Sequence, residues 1–167
     1  MDDTLSPADL GHLRRCIELA TEALETGDDP FGSVLVSGDG TVLAEDRNRE
    51  TSSGDPTAHP ELAHARWAAA HLPPERRRDT TVYTSGEHCP MCAAAHAWVG
   101  LGRIVYVHSS AQLVGWRAAL GLPASPLRPL AINDVAPGVE VVGPVPPLDE
   151  EMRRLHTVRA AALRSVE

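Results

Sequence analysis

Two short stretches carry residue types suited to holding a metal ion: His59-Pro60-Glu61 and Cys89-Pro90-Met91-Cys92. The two cysteines are three apart, so on a helix they share a face. Proline fits the first helical position, where the missing N–H would lack a helical partner anyway, and this makes Cys89 the helix cap. Thiolates at a helix N-terminus are stabilised by the free N–H groups and the helix dipole. Zinc takes thiolate and imidazole ligands, and His59 supplies a third. Three protein ligands leave one position open for water, which is the arrangement of a catalytic site rather than a structural one. Glu61 is two residues from His59. Such a pair does not share a face inside a helix, but in a first turn both side chains can lean toward the helix mouth. Two other readings of the cysteine pair exist. Cys16 could complete a four-ligand structural zinc, but it falls on the apolar stripe of a helix and reads as a buried core thiol. A thiol redox centre has the same order of strand, C-x-x-C and helix, but it leaves His59-Pro60-Glu61 unexplained.

The surrounding pattern says what must position these groups. Leu10, Leu13, Ile17, Ala20 and Leu24 recur at steps of three and four, predicting an amphipathic helix over 6–24 with Ser6 as its cap. Val34-Leu35-Val36, the turn Ser37-Gly38-Asp39-Gly40 and residues 41–47 predict a hairpin. Residues 48–56 read as a polar loop, 58–72 as an alanine-rich helix, 80–84 as a strand, 90–99 as a helix, 103–107 as a strand and 111–120 as a helix. Helices alternating with strands in the second half imply βαβ crossovers and a sheet covered on both faces. Seven of the 14 prolines fall within 121–147, which reads as an ordered loop with one strand at 139–142. Such a loop serves as a lid or as a subunit contact. A last amphipathic helix is expected over 148–166. The whole chain, 1–167, is expected to form one domain.

Composition removes several function classes. With 23 acidic and 15 basic residues the net charge is −8, whereas a nucleic-acid binder normally shows a basic face. A polynucleotide substrate is therefore not expected. All 15 basic residues are arginine, so a Schiff-base enzyme, a pyridoxal-phosphate enzyme and a lysine-bearing P-loop are excluded. Three cysteines are not a secreted disulfide framework. The acidic Met1-Asp2-Asp3 is followed by no basic-then-apolar signal, and no apolar run could span a bilayer, so the expectation is a cytoplasmic protein without membrane contact. His64, His71, His96, His108 and His156 show no partner pattern and read as structural or solvated, and Arg76-Arg77-Arg78 reads as a solvated run.

His-x-Glu followed by Pro-Cys-x-x-Cys is the zinc-deaminase signature. The chain resembles the cytidine-deaminase-like superfamily, within it the free-base branch typified by guanine deaminases, with the adenosine deaminases of tRNA nearby. The matching stretches are Pro30-Phe31-Gly32-Ser33-Val34, Asn48, residues 55–61, Thr84-Ser85, Cys89-Pro90-Met91-Cys92, Trp98 and Arg103-Ile104-Val105-Tyr106. The resemblance implies an α/β fold, a three-layer α/β/α sandwich around a mixed five-stranded sheet that begins with an antiparallel hairpin. It implies zinc on His59, Cys89 and Cys92, Glu61 as acid and base, Asn48 on a polar edge of the base, Phe31 and Trp98 as pocket walls, and a homodimer. Two thiolates weaken zinc as a Lewis acid, so the resemblance implies that Glu61 carries the water proton to a ring nitrogen and afterwards protonates the departing amine.

There are departures from the family pattern. Pro60 stands where the family has alanine, and His88 replaces a proline at the mouth of the site, where it is either a pocket contact or an exposed loop residue. The aspartate that guanine deaminases carry after the fourth strand falls on Gln112. The tail after Pro147 holds no aromatic residue that could close the pocket. The expected activity is therefore hydrolytic deamination, by water, of a small amino-heterocycle. The expected substrate is a free base of cytosine type, a modified base or a triazine-like analogue, ahead of guanine. Deamination of adenosine in tRNA and a non-catalytic zinc-stabilised interaction module are the alternatives.

Overall fold

The computed structural model describes residues 5–165. Helix α1 (Pro7–Glu25) starts at Ser6 in a capping box: the Ser6 hydroxyl accepts the Asp9 N–H, and the Asp9 carboxylate accepts the Ser6 N–H. Strand β1 (Gly32–Val36) pairs antiparallel with β2 (Val42–Arg47) and, on its other side, with β3 (Thr81–Gly86). Strands β4 (Arg103–His108) and β5 (Val141–Val142) continue the sheet in parallel, giving the order β2-β1-β3-β4-β5. The helices between are α2 (Glu50–Ser53), α3 (Pro60–His71), α4 (Pro74–Arg77), α5 (Pro90–Val99), α6 (Ser110–Ala119), α7 (Ile132–Val135) and α8 (Leu148–Arg164). Among the described residues no helix is long and apolar enough to cross a membrane.

The strand period of two sorts the apolar residues onto two faces. Val34, Val36, Tyr83, Val105 and Val107 pack against Leu13, Cys16 and Ile17 of α1 and Leu148 and Met152 of α8. The alternate residues Leu35 and Val82 meet Ala65 and Ala68 of α3, and Ile104 and Tyr106 meet Ala93 of α5. This is the expected three-layer α/β/α sandwich around a mixed five-stranded sheet. Gly32 is needed for the fit of α1 on β1, because a Cβ there would lie 2.4 Å from the Cys16 carbonyl oxygen.

Where the structure differs from the sequence reading, local hydrogen bonds explain it. The loop read at 48–56 contains the turn of α2, held because the Ser52 N–H donates to Asp28 and Arg159 of α8 reaches Asp29 and Thr51. The arginine run is not simply solvated. Arg77 donates to the carbonyls of Leu72 and Ala69 at the end of α3 and to that of Val99 at the end of α5, satisfying acceptors left free by both helices. The strand read at 139–142 is only Val141–Val142. The last position of the expected C-terminal helix, Val166, lies outside the described residues.

Candidate metal centre and catalytic cavity

His59 is the cap residue of α3 and Cys89 the cap of α5, with Cys92 in the first turn of α5. Both helices therefore direct their N-termini at one point beside the end of β3. The His59 Nδ1 lies 3.6 Å from the Cys89 sulfur and 3.5 Å from the Cys92 sulfur. The three donor atoms all fall within 4.8 Å of one another. A zinc ion with Zn–S of about 2.3 Å, Zn–N of about 2.0 Å and tetrahedral angles would hold N and S about 3.5 Å apart. The donor set thus fits zinc in both chemistry and spacing. Cys16 is fully buried in the α1 core and is not part of the group.

The three donors are coupled through their protons. The hydrogen bond with Cys92 pulls the Cys89 thiol down to about 4, helped by His59, and Cys92 is pushed up in return. Burial favours neutral His59, but Cys89 at one nitrogen and Glu50 at the other outweigh burial and hold the ring's pKa up at about 10. A metal ion must displace those protons.

Glu61, in the first turn of α3, is buried and accepts a hydrogen bond of 2.5 Å from the Thr84 hydroxyl on β3. Burial raises its pKa, and the Thr84 bond opposes that rise. The carboxylate faces a cavity of about 330 Å³, also lined by Phe31, Asn48, His59, Cys89 and Pro90. Its outer wall is Leu113, Val114 and Arg117 of α6 and the segment Leu122–Pro129. The first part of the proline-rich stretch therefore forms a wall of the site.

The structure brings His59, Glu61, Cys89, Asn48 and Phe31 together around this cavity, with Cys92 buried beside His59. It does not bring Trp98 there. Trp98 lies six residues after Cys92, about 240° around the helix, and is 90% exposed. The expectation that it walls the pocket is corrected. His88 is likewise neither a pocket contact nor an exposed loop residue. It is buried under α5 with its ring edge-on to His96 at 5.4 Å, and neither nitrogen has a hydrogen-bond partner among the described residues. Burial, and then the neighbouring histidines, hold it neutral. His64, His96, His108 and His156 are also buried, while His71 stays exposed and stacks on Trp67.

Three groups at the site escaped the sequence reading. The Glu50 carboxylate accepts from His59 Nε2 at 2.9 Å and from the Asn48 side-chain amide at 2.8 Å. The loop around it carried no motif. Thr84 was visible only as part of a matching stretch. Glu87 lines the cavity, but its carboxylate accepts the backbone N–H groups of Ser110 and Ile132 and ties α6 and α7 to the end of β3. Gln112 caps α6 at Ser109 and donates to Asp149, outside the cavity lining.

The model of the cytidine and deoxycytidylate deaminase zinc-binding region matches residues 7–108. A guanine deaminase of Bacillus subtilis is 39% identical over 107 residues, 62% of this chain and 68% of that protein. A probable cytosine deaminase of Schizosaccharomyces pombe is 34% identical over 149 residues, covering 84% and 86%. The solved guanine deaminase from Nitrosomonas europaea matches with a TM-score of 0.71 over 95% of this chain and 86% of that one, at 21% identity.

Proposed function

The chain belongs to the cytidine and deoxycytidylate deaminase zinc-binding family, and from that premise we propose that it releases ammonia from a free nucleobase or a close heterocyclic analogue. The observation that carries this reading is the buried Glu61 carboxylate, poised by Thr84 at the floor of the cavity beside three zinc-type donors. Bound on His59, Cys89 and Cys92, zinc supplies Lewis acidity toward water. Glu61 takes the water proton and delivers it to the ring nitrogen next to the amino-bearing carbon. A C–O bond forms at that carbon. Glu61 next takes the proton of the newly added hydroxyl and passes it to the amine, the C–N bond breaks as the C=O bond forms and ammonia leaves, so that water plus the amine give the carbonyl compound and ammonia.

The cavity argues for a small heterocycle without an attached sugar. Its outer wall is mostly apolar, so a ribose would find few hydrogen-bond partners there. Guanine and cytosine deaminases among the relatives support a free base. Within that class we favour cytosine, a modified base or an aminotriazine over guanine. Glu87 is occupied by two backbone N–H groups and Gln112 is turned away, which leaves the proton traffic to Glu61. The net charge of −8 weighs against a tRNA substrate.

The test is ammonia release from the zinc-loaded protein across guanine, cytosine, adenine, modified cytosines, aminotriazines and their nucleosides, with Glu61→Gln in parallel. The expected result is turnover of cytosine or a triazine, reduced about 10²–10⁴-fold in Glu61→Gln while zinc and fold are kept. Guanine turning over as fast or faster reverses the substrate ranking. An active Glu61→Gln refutes the mechanism.

A further inference from the structure

Glu50 stands between two groups of different purpose. One oxygen, Oε1, accepts from His59 Nε2 at 2.9 Å and from Asn48 Nδ2 at 2.8 Å. The Asn48 Oδ1 in turn accepts the Glu50 backbone N–H at 3.0 Å. An ionised carboxylate can only accept, so it requires the hydrogen of a neutral His59 ring to sit on Nε2 and leaves Nδ1 bare toward the two sulfurs. The same argument orients Asn48, since the atom that meets Glu50 must be the amide nitrogen. Asn48 is then left with one N–H and one oxygen lone pair for the cavity that it lines.

The turn that carries Glu50 is held on several sides. The Asn48 N–H donates to the Phe31 carbonyl and the Arg49 N–H to the Ala58 carbonyl. Asp28 accepts from Ser52, and Arg159 reaches across from α8 to Asp29 and Thr51. Glu50 is therefore fixed by the fold and not merely by its two side-chain partners.

We propose that Glu50 is a positioning residue that joins the metal ligand His59 and the base-facing amide Asn48 into one hydrogen-bonded unit, setting zinc affinity and base affinity together. The proposal rests on His59 being a zinc ligand, and its main readouts need no turnover. Carboxylates behind ligating histidines fix the tautomer and ring orientation, and their loss typically costs about 10–100-fold in metal affinity.

The experiment compares the parent with Glu50→Ala and Glu50→Gln. Zinc affinity is read by chelator competition, the cobalt-substituted protein by its visible spectrum, and the His59 tautomer by ¹⁵N NMR of the zinc protein. Glu50→Ala is expected to bind zinc about 10–100-fold more weakly, to change the cobalt bands and to lose the slowly exchanging Nε2 proton. Glu50→Gln keeps an accepting oxygen and is expected to restore most of the affinity and the proton signal. On the base that the ammonia panel identifies, Glu50→Ala is expected to raise KM about ten-fold even at saturating zinc. Zinc affinity within two-fold of the parent in Glu50→Ala, with unchanged cobalt bands, overturns the proposal. A variant that loses thermal stability without zinc yet keeps parental zinc affinity overturns it too, since Glu50 would then serve the fold alone. If the panel is silent while the metal readouts shift, the substrate reading has failed and the role of Glu50 toward zinc stands.

Discussion

The chemistry of each site residue follows from its neighbours more than from its type. Glu61 and Glu87 are both glutamates at one cavity, yet they have different work. Glu61 is buried with one hydroxyl donor at hand, which leaves it free to exchange a proton, whereas both oxygens of Glu87 are taken by backbone N–H groups. Phe31 and Trp98 differ in the same way. Phe31 forms cavity wall and packs edge-on against His156 at 5.2 Å, while Trp98 stands in solvent on this chain. Phe31 is half-buried, and a base packed on its ring would bury more of a side chain whose full burial is worth roughly 1.5–3 kcal/mol. Phe31→Ala is therefore expected to raise KM about ten-fold or more, and Trp98→Ala to change it less than two-fold, in steady-state assays on the zinc-loaded protein. The His-x-Glu and Cys-x-x-Cys groups were legible in the sequence because their spacing is a local property of a helix start. The exposure of Trp98 was not, because it depends on which side of α5 the sheet takes.

Among the elements, α1 is anchored to the sheet by one carboxylate. Asp9 accepts from the Tyr83 hydroxyl on β3 at 2.6 Å, from Arg103 on β4 at 2.7 Å and from the backbone and hydroxyl of Ser6. Burial alone would raise its pKa, but the bonds from Ser6 and Tyr83, with the charge of Arg103, bring it down to about 2. A carboxyl depressed in the folded state adds stability above its unfolded value near 3.8 and loses it as pH falls toward about 2. The shift corresponds to about 2 kcal/mol at neutral pH. Asp9→Asn is accordingly expected to lower Tm by about 4–8 °C at pH 7, with the gap closing below pH 4. Thermal melts of both proteins at pH 7, 4 and 2.5 check this, and a gap of constant size across that range would remove the linkage. The sequence showed the capping box only in outline, through Ser6. The reach of Asp9 to Tyr83 and Arg103 spans 74 and 94 residues, and no local pattern encodes it.

For the whole molecule, the sheet order brings the cavity into being. Parallel pairing of β3 with β4 sets the starts of α5 and α6 side by side, and the stretch after α6 then folds back as the outer wall. Trp98 is left exposed on the outer side of α5, together with the half-exposed Val158 on α8 elsewhere on the surface. The family resemblance implies a homodimer, and we propose that such a dimer covers Trp98. Sedimentation equilibrium is expected to give twice the chain mass of 17.8 kDa, and Trp98→Asp to shift the species toward monomer without loss of the zinc site. A monomeric parent at micromolar concentration would withdraw that assignment.

The sequence by itself determined the candidate metal donors, the carboxylate we propose as acid and base, the alternation of strands and helices, and the chemistries that composition excludes. Each of these depends on residue types at short spacing or on composition, which the unfolded chain already carries. The tertiary structure alone decided that Glu50 backs His59, that Thr84 bonds Glu61, that His88 turns inward and that Leu122–Pro129 walls the cavity. These depend on which segments meet after strand pairing, and that register is set by burial of the whole core rather than by any stretch read alone.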